Sequence, residues 1–198
     1  VAAMLGASVI VFLHIVPWEK IPVYVDLGTI FLLMGMMIIV NITRRSGIFE
    51  FVAIWATKVS RGRPVLLLVL LTVITAFISA WLDNVTTVLL MVPVTFAITD
   101  QLQLNPMPFL ICEVIGSNIG GTATLIGDPP NILIGSATHL GFNDFIVNLA
   151  PAVLIIMPLI MALIVLIYGR TFQVTEADQQ KVMAMNEWDA IRDWFILK

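Results

Sequence analysis

The chain has 198 residues, of which 60% are hydrophobic and 12% charged, with a formal net charge of −3. Soluble domains carry about 25% charged residues, so a water-facing globule built from this chain lacks the polar surface to cover itself. A cytosolic enzyme domain, a nucleic-acid binder and a disordered segment are thereby excluded. One cysteine, Cys112, excludes an intramolecular disulfide and a cysteine-based zinc site, and His14 and His139 have no metal-ligand spacing. An all-α integral membrane protein remains.

Charge is distributed accordingly. No ionisable group occurs in Leu27–Thr43, Pro64–Leu82 or Leu149–Tyr168, and about 20 apolar residues cross a hydrocarbon core. In chain order, Val1–Val16 reads as a first spanning helix. It opens inside an apolar run, without methionine, a basic n-region or a small-residue cleavage site. It therefore reads as part of a longer chain rather than as a signal peptide. A loop, Pro17 to Val25, follows, with Trp18 and Tyr24 as interfacial anchors, and then a second helix from Asp26 to Thr43. Arg44, Arg45, Lys58, Arg61 and Arg63 then face one acid, Glu50. The positive-inside rule makes this stretch cytoplasmic. Between the arginines, Gly47–Ser60 is too short to span. Its Ile48, Phe51, Val52, Trp55 and Val59 predict an amphipathic helix on the membrane surface.

Pro64–Leu82 and Val85–Thr99 are apolar runs joined by Asp83-Asn84. Met107–Ile126 is rich in small residues and breaks at Gly127-Asp128-Pro129-Pro130-Asn131. A short piece, Ile132–Leu140, follows, then an interfacial stretch Gly141–Asn148 and a last span Leu149–Tyr168. The tail from Thr171 is polar and ends amphipathically with Trp188, Ile191, Trp194 and Phe195, as a surface connector would. Residues 1–170 therefore read as one membrane unit and 171–198 as a connector.

Two constellations carry the chemistry. Ser79, Asp83, Asn84, Thr86 and Thr87 fall within nine residues between two uncharged runs. Asp and Asn disfavour helix interiors and cap helices, so the pattern predicts a hairpin with a polar tip, whose irregular backbone is tolerated only where it lines a cavity. The alternative is a continuous helix with a satisfied internal Asp. The second constellation, Gly116 to Asn131, holds Ser117, Asn118, Thr122, Thr124, Asp128 and Asn131 among four glycines. The tandem prolines deprive the Leu125 and Ile126 carbonyls of helical partners. Freed carbonyls and hydroxyls suit a hard cation such as Na⁺, while a restarted half-helix presents its N-terminus to an anion. Gly116 and Gly120 also form a GxxxG packing pair. Glu113 reads equally as a snorkelling carboxylate at the membrane edge and as a site residue. Cys112 reads as a buried hydrophobe, and both histidines as interfacial.

Leu82-Asp83-Asn84-Val85-Thr86-Thr87, followed by Gly120-Gly121-Thr122-Ala123-Thr124-Leu125-Ile126-Gly127-Asp128-Pro129-Pro130-Asn131, closely resembles the ArsB/NhaD permease family. That family groups arsenite pumps and sodium–proton antiporters. The phrase around Ile38, Ser46-Gly47 and Pro93 is most similar to its P-protein-like branch. The wider superfamily holds citrate and dicarboxylate symporters. The resemblance covers nearly the whole chain and implies two inverted repeats, each with a re-entrant hairpin and a broken helix, and a homodimer. This chain would supply the first repeat. The implied ion-binding residues are Asp83, Asn84, Thr86, Thr87, Ser117, Asn118, Gly121, Thr122, Thr124, Gly127, Asp128 and Asn131, with Na⁺ at Asp83, Asn84, Asn118 and Thr122. Where the dicarboxylate symporters carry a Ser-Asn-Thr tip, this chain has Asp83-Asn84-Val85. An Asp repels an anion and binds a proton or a metal cation, which favours Na⁺ or H⁺ coupling.

The function expected is a secondary transporter of a small inorganic or organic ion in the plasma (inner) membrane. It would be in contact with lipid and need neither a cofactor nor a nucleic-acid partner. A passive channel is the first alternative. An intramembrane aspartyl protease using Asp83 and Asp128 fits less well, because Leu125 stands where a Gly-x-Gly-Asp motif needs glycine.

Overall fold

The computed structural model describes residues 2–20, 25, 27–170, 172, 174–175, 179–180, 183 and 186–191. Among the described residues the secondary structure is entirely helical. The α-helices are α1 (Ala2–Phe12), α2 (Leu27–Arg45), α3 (Ile48–Val59), α4 (Pro64–Ser79), α5 (Asn84–Gln101), α6 (Met107–Thr122), α7 (Pro129–Thr138) and α8 (Phe142–Tyr168). Short 3-10 turns lie at Trp18–Lys20 and Glu187–Ala190.

The core is built by α4, α5, α6 and α8. Leu67, Leu68 and Leu71 of α4, Met91 and Ile98 of α5, Phe109 and Cys112 of α6, and Met161 and Ile164 of α8 form one buried cluster. The most extensive packing is between α4 and α6. Its cause is Gly116 and Gly120, one helical turn apart on the face of α6 that meets α4. A methyl group at Gly116 would lie 2.7 Å from the Thr72 carbonyl oxygen, and one at Gly120 would overlap the Ala76 carbonyl oxygen. Small residues here let two backbones touch.

Outside the core the surface is apolar. Phe31, Met34 and Ile38 of α2 and Leu154, Ile155, Leu159 and Leu166 of α8 are all exposed. Water penalises an apolar surface of this extent; hydrocarbon solvates it. Two helices, Leu27–Arg45 and Phe142–Tyr168, are long and apolar enough to cross a membrane. The second absorbs both the Gly141–Asn148 stretch and the last predicted span. Its first turn is fixed by Asp144, whose carboxylate accepts from the Gly141 N–H at 2.7 Å. Pro151 and Pro158 lie within it, as membrane helices tolerate.

Two expectations need correction. The first helix stops at Phe12, short of Val16, because His14 adopts a left-handed φ of 52°. The Ile15 N–H then turns back to the Ile10 carbonyl at 3.1 Å, as in a Schellman ending. Eleven residues rise about 16 Å, roughly half a hydrocarbon core. The second correction concerns α3. Its buried face is Phe49, Ala53, Ala56 and Thr57, packed towards α5, whereas Trp55 and Val59 of the predicted apolar face are exposed. Ile48, Phe51 and Val52 are half-buried, and Ala53 and Ala56 let α3 approach its neighbour closely. The left-handed Gly47 (φ 81°) makes the sharp turn from α2 into α3.

Tyr24, Asp26, Trp194 and Phe195 lie outside the described residues. The described part of the tail docks on α3. Trp188 meets Phe51 at 5.0 Å between ring centroids, and Lys58 pairs with Glu187. That hydrogen bond holds the half-buried Glu187 carboxyl below its usual range.

Gly120→Ala is expected to destabilise the detergent-solubilised protein by about 3 kcal/mol, the upper range for overpacking. Gly6→Ala, where a methyl meets nothing within 4 Å, serves as the neutral control. Equal thermal midpoints for the two variants would contradict the close α4–α6 approach.

Candidate functional site

The polar tip predicted between the two uncharged runs is a helical hairpin. α4 ends at Ser79, the Leu82 N–H still reaches back to the Ile78 carbonyl at 2.9 Å, and α5 begins at Asn84. Asp83 is the N-cap of α5. Its carboxylate accepts from the Thr86 N–H at 2.8 Å, and the residue is only 6% exposed. An N-cap acid fits the positive end of the helix dipole. The two arms have 16 and 18 residues, which is about 24 and 27 Å of rise, each shorter than a full hydrocarbon core.

The broken helix is present, and its break begins earlier in the chain than the Gly127–Asn131 motif. Gly120–Thr122 remain helical, residues 123–128 are irregular, and Asn131 lies in the first turn of α7. Pro129 and Pro130 open α7 rather than leaving a gap before it, since a helix's first turn has no intrahelical use for their missing N–H groups. Within the break the chain doubles back. A methyl at Gly127 would lie 2.5 Å from the Gly121 carbonyl oxygen, and one at Gly121 would lie 2.6 Å from the Gly127 carbonyl oxygen. These two glycines therefore contribute by close backbone approach. The Asn131 side chain stitches the halves together by donating to the Thr124 carbonyl at 2.9 Å and the Thr122 carbonyl at 3.4 Å. Among the described hydrogen bonds none ends on the Leu125 or Ile126 carbonyl.

The structure brings the two constellations together. Ser79 donates to the Ser117 carbonyl at 2.8 Å, and the two hydroxyls lie 3.1 Å apart. Ser117 in turn donates to the Asn84 carbonyl at 3.0 Å. The Asn84 amide reaches the Asn118 side chain at 3.3 Å and the Asp128 carboxylate at 3.4 Å. Thr124 donates to the Ala80 carbonyl and accepts from the Gly127 N–H at 3.1 Å. One amide thus joins the tip, the end of α6 and the break. An open groove of about 290 Å³ lies beside it, lined by Asn84, Val85, Val88, Leu89, Val114, Ser117 and Asn118.

Not every predicted residue converges. Thr122 is exposed, and its hydroxyl is spent on the Asn118 carbonyl at 2.8 Å. Thr86 contributes its backbone N–H to the Asp83 cap. Thr87 is fully buried, and its hydroxyl has no partner. Of the four proposed Na⁺ ligands, Asn84 and Asn118 are in direct contact, while Asp83 faces its own helix end. Among the described residues no three His, Cys, Asp or Glu side chains cluster as a metal site.

Glu113 requires a correction. It does not snorkel: it is completely buried on α6 and bonded to the Thr95 hydroxyl at 2.6 Å. The signal was in the spacing. Glu113 and Ser117 are four apart on α6, on the face that also carries Gly116 and Gly120, and Thr95 and Thr99 are four apart on the buried face of α5. His139 takes a left-handed φ of 60° and closes α7.

With that geometry in place, comparison with known proteins is informative. The citrate transporter family, CitMHS, matches residues 1–197. The chain belongs to this family. A 46 kDa membrane protein of Mycobacterium leprae is 46% identical over 202 residues, covering 100% of this chain and 47% of the relative. An uncharacterized transporter of Mycobacterium tuberculosis is 46% identical over 196 residues, covering 96% of this chain and 45% of the relative. The human P protein is 47% identical over 127 residues, covering 64% of this chain and 14% of its own length. The chain spans about half the length of the mycobacterial relatives. Family membership agrees with the apolar exterior and makes the protein an integral membrane protein of a transporter family.

Thr124→Val removes a hydroxyl that ties the tip to the break, and Thr124→Ser keeps it. Two buried hydrogen bonds with one donor lost predict a cost of about 1–3 kcal/mol for the valine variant and little for serine. Thermal unfolding in detergent checks this; equal loss in both variants would assign the effect to packing.

Proposed function

We propose that this chain forms half of the transport domain of a secondary transporter that moves a small ion in exchange for, or together with, Na⁺ or H⁺. The observation that carries the reading is the Asn84 amide, shared between Asn118 and Asp128 where a hairpin tip meets a broken helix. Two interrupted helices meeting end to end in an apolar protein collect carbonyls, amides and carboxylates that lipid leaves without partners. Such half-helix ends hold the substrate and the coupling ion in transporters built from inverted repeats.

The hairpin is re-entrant in this reading, and a second repeat faces the tip. That repeat belongs to the part of the relatives which this chain does not span. The full-length protein assembles as a homodimer in the plasma (inner) membrane, with the Arg44–Arg63 stretch cytoplasmic. The ArsB/NhaD type of chemistry, either Na⁺/H⁺ antiport or permeation of a small anion or metalloid, is favoured by the Asp at the tip. Support also comes from the match to a P protein. Asp83 is the cation- or proton-coupling carboxylate, with Asp128 the second acid of the cluster. Asn84, Asn118 and the hydroxyls of Ser117 and Thr124 hold the tip against the break.

Asp83→Asn separates charge from structure. Asparagine caps helices as well as aspartate does, whereas alanine costs about 1 kcal/mol. The full-length Asp83→Asn protein is expected to fold normally and to lose coupled flux in proteoliposomes by a factor of about 10 or more, equivalent to about 1.4 kcal/mol. Wild-type flux with unaltered Na⁺ and pH dependence would remove Asp83 from the coupling role. Varying Na⁺, Li⁺, arsenite, citrate and pH gradients one at a time identifies the transported ion.

A further inference from the structure

Glu113 stands apart from the cluster at the tip. It is wholly buried, one carboxylate oxygen is bonded to Thr95, and the other has no partner. Among the described residues, the helices packed against α6 carry no cation along their length, and Arg170 lies beyond the end of α8. α4 carries no titratable residue between Pro64 and Ser79. α5 carries only Asp100 near its far end, α8 only Asp144 and Tyr168 near its two ends, and α6 itself only Cys112. The neighbouring core residues are apolar: Met91, Ile98 and Phe109. Thr95 lies eleven residues along α5 from Asn84, about 16 Å of helix rise. Along α6 Glu113 is one turn from Ser117, about 6 Å of rise, but its carboxylate bonds only to Thr95 among the described hydrogen bonds, so it is a neighbour of the tip cluster rather than a member of it.

An ionised carboxylate in this position has one hydroxyl donor and nothing else to replace water. The neutral acid suits it: one oxygen stays paired with Thr95 and the acid proton sits on the group itself. We propose that Glu113 is a proton-binding site of this protein, and that its protonated form is the one compatible with the closed packing of α5 on α6. The inference rests on the transporter reading above only for its consequence. The same two helices carry Asn84 and Asn118, so any motion that parts them at the tip also strains the Thr95–Glu113 bond. Water reaching the parted interface would stabilise the carboxylate, and Glu113 would release its proton to that water. Reclosure requires the proton back. Proton occupancy at Glu113 and opening at the tip are then linked through one helix interface, with no contact between the two sites.

Infrared difference spectroscopy tests this on the full-length protein in proteoliposomes, between acid and alkaline buffer. The wild type is expected to show a protonated-carboxyl stretching band that is lost at alkaline pH and shifts in heavy water. Glu113→Gln, which keeps the shape and lacks the proton, is expected to lack that band. Thr95→Val is expected to keep the band at higher frequency, because the carboxyl loses its hydrogen bond. A band that is identical in wild type and Glu113→Gln overturns the proposal, as does a Glu113 band that does not change with pH. If Glu113→Gln fails to fold, Thr95→Val decides the matter, and an unmoved band there also overturns it. The readout needs no flux. A protein that moves none of the tested ions but shows the titrating band contradicts the transport reading and leaves the proton site standing.

Discussion

The close approach of α6 to α4 is the contact on which the site depends. Gly116 and Gly120 let the backbone of α6 rest on Thr72 and Ala76. Between the two glycines, that approach brings Ser117 within reach of Ser79 and of the Asn84 carbonyl. From there the end of α6 meets the hairpin tip, and the break that follows folds under it through Thr124 and Asn131. A bulkier face on α6 would hold the helices apart by the width of a side chain. The hydroxyls of Ser79 and Ser117 would then lose each other in a medium that supplies no replacement. Packing of small residues and satisfaction of polar groups are here one constraint.

The tip and the break each answer a problem that lipid creates. A helix that starts or stops inside a membrane exposes backbone groups that must be paired. At the start of α5 the solution is local: Asp83 caps the helix it precedes. At the end of α6 the Asn131 side chain pairs the Thr122 and Thr124 carbonyls, while the contact across to the tip is tertiary and between side chains: the Asn84 amide serves Asn118 and Asp128. The local solution is self-contained. The tertiary one is held by side-chain amides at 3.3 and 3.4 Å, at the long end of the hydrogen-bond range, and can be exchanged for ligands of an ion without unfolding either helix. That difference is why the tertiary contact carries the functional reading.

Much of this was legible in the sequence. The uncharged runs located α2, α4 and α8, and the Asp83-Asn84 pair marked the tip because both residues prefer helix starts. Asp128-Pro129-Pro130 marked the interruption, although Pro129 and Pro130 begin α7 and the irregular residues lie before them. What could not be read was which faces meet. The buried side of α3 is its alanine face rather than its large apolar one, because close helix packing selects small side chains. Glu113 was ambiguous for the same reason. Its position near the start of α6 suggested the membrane edge; its spacing from Gly116, Ser117 and Gly120 put it on the inward face, and Thr95 opposite it confirms an interior group. The end of α1 depended on a left-handed His14, a conformation that composition does not announce.

The central claim is that the hairpin tip and the broken helix form one site that opens during transport. The most direct test links them covalently. In a full-length protein with Cys112 replaced by alanine, Val85→Cys and Val114→Cys, which line the groove between the tip and α6 and leave Asn84 and Asn118 in place, are joined by a short, reducible bifunctional thiol reagent, and flux is measured before linkage, after it and after reduction. The account predicts efficient linkage within one molecule, arrest of flux while the link is intact, and recovery on reduction. Efficient linkage with undiminished flux would contradict it, because the two elements would then stay together throughout the cycle.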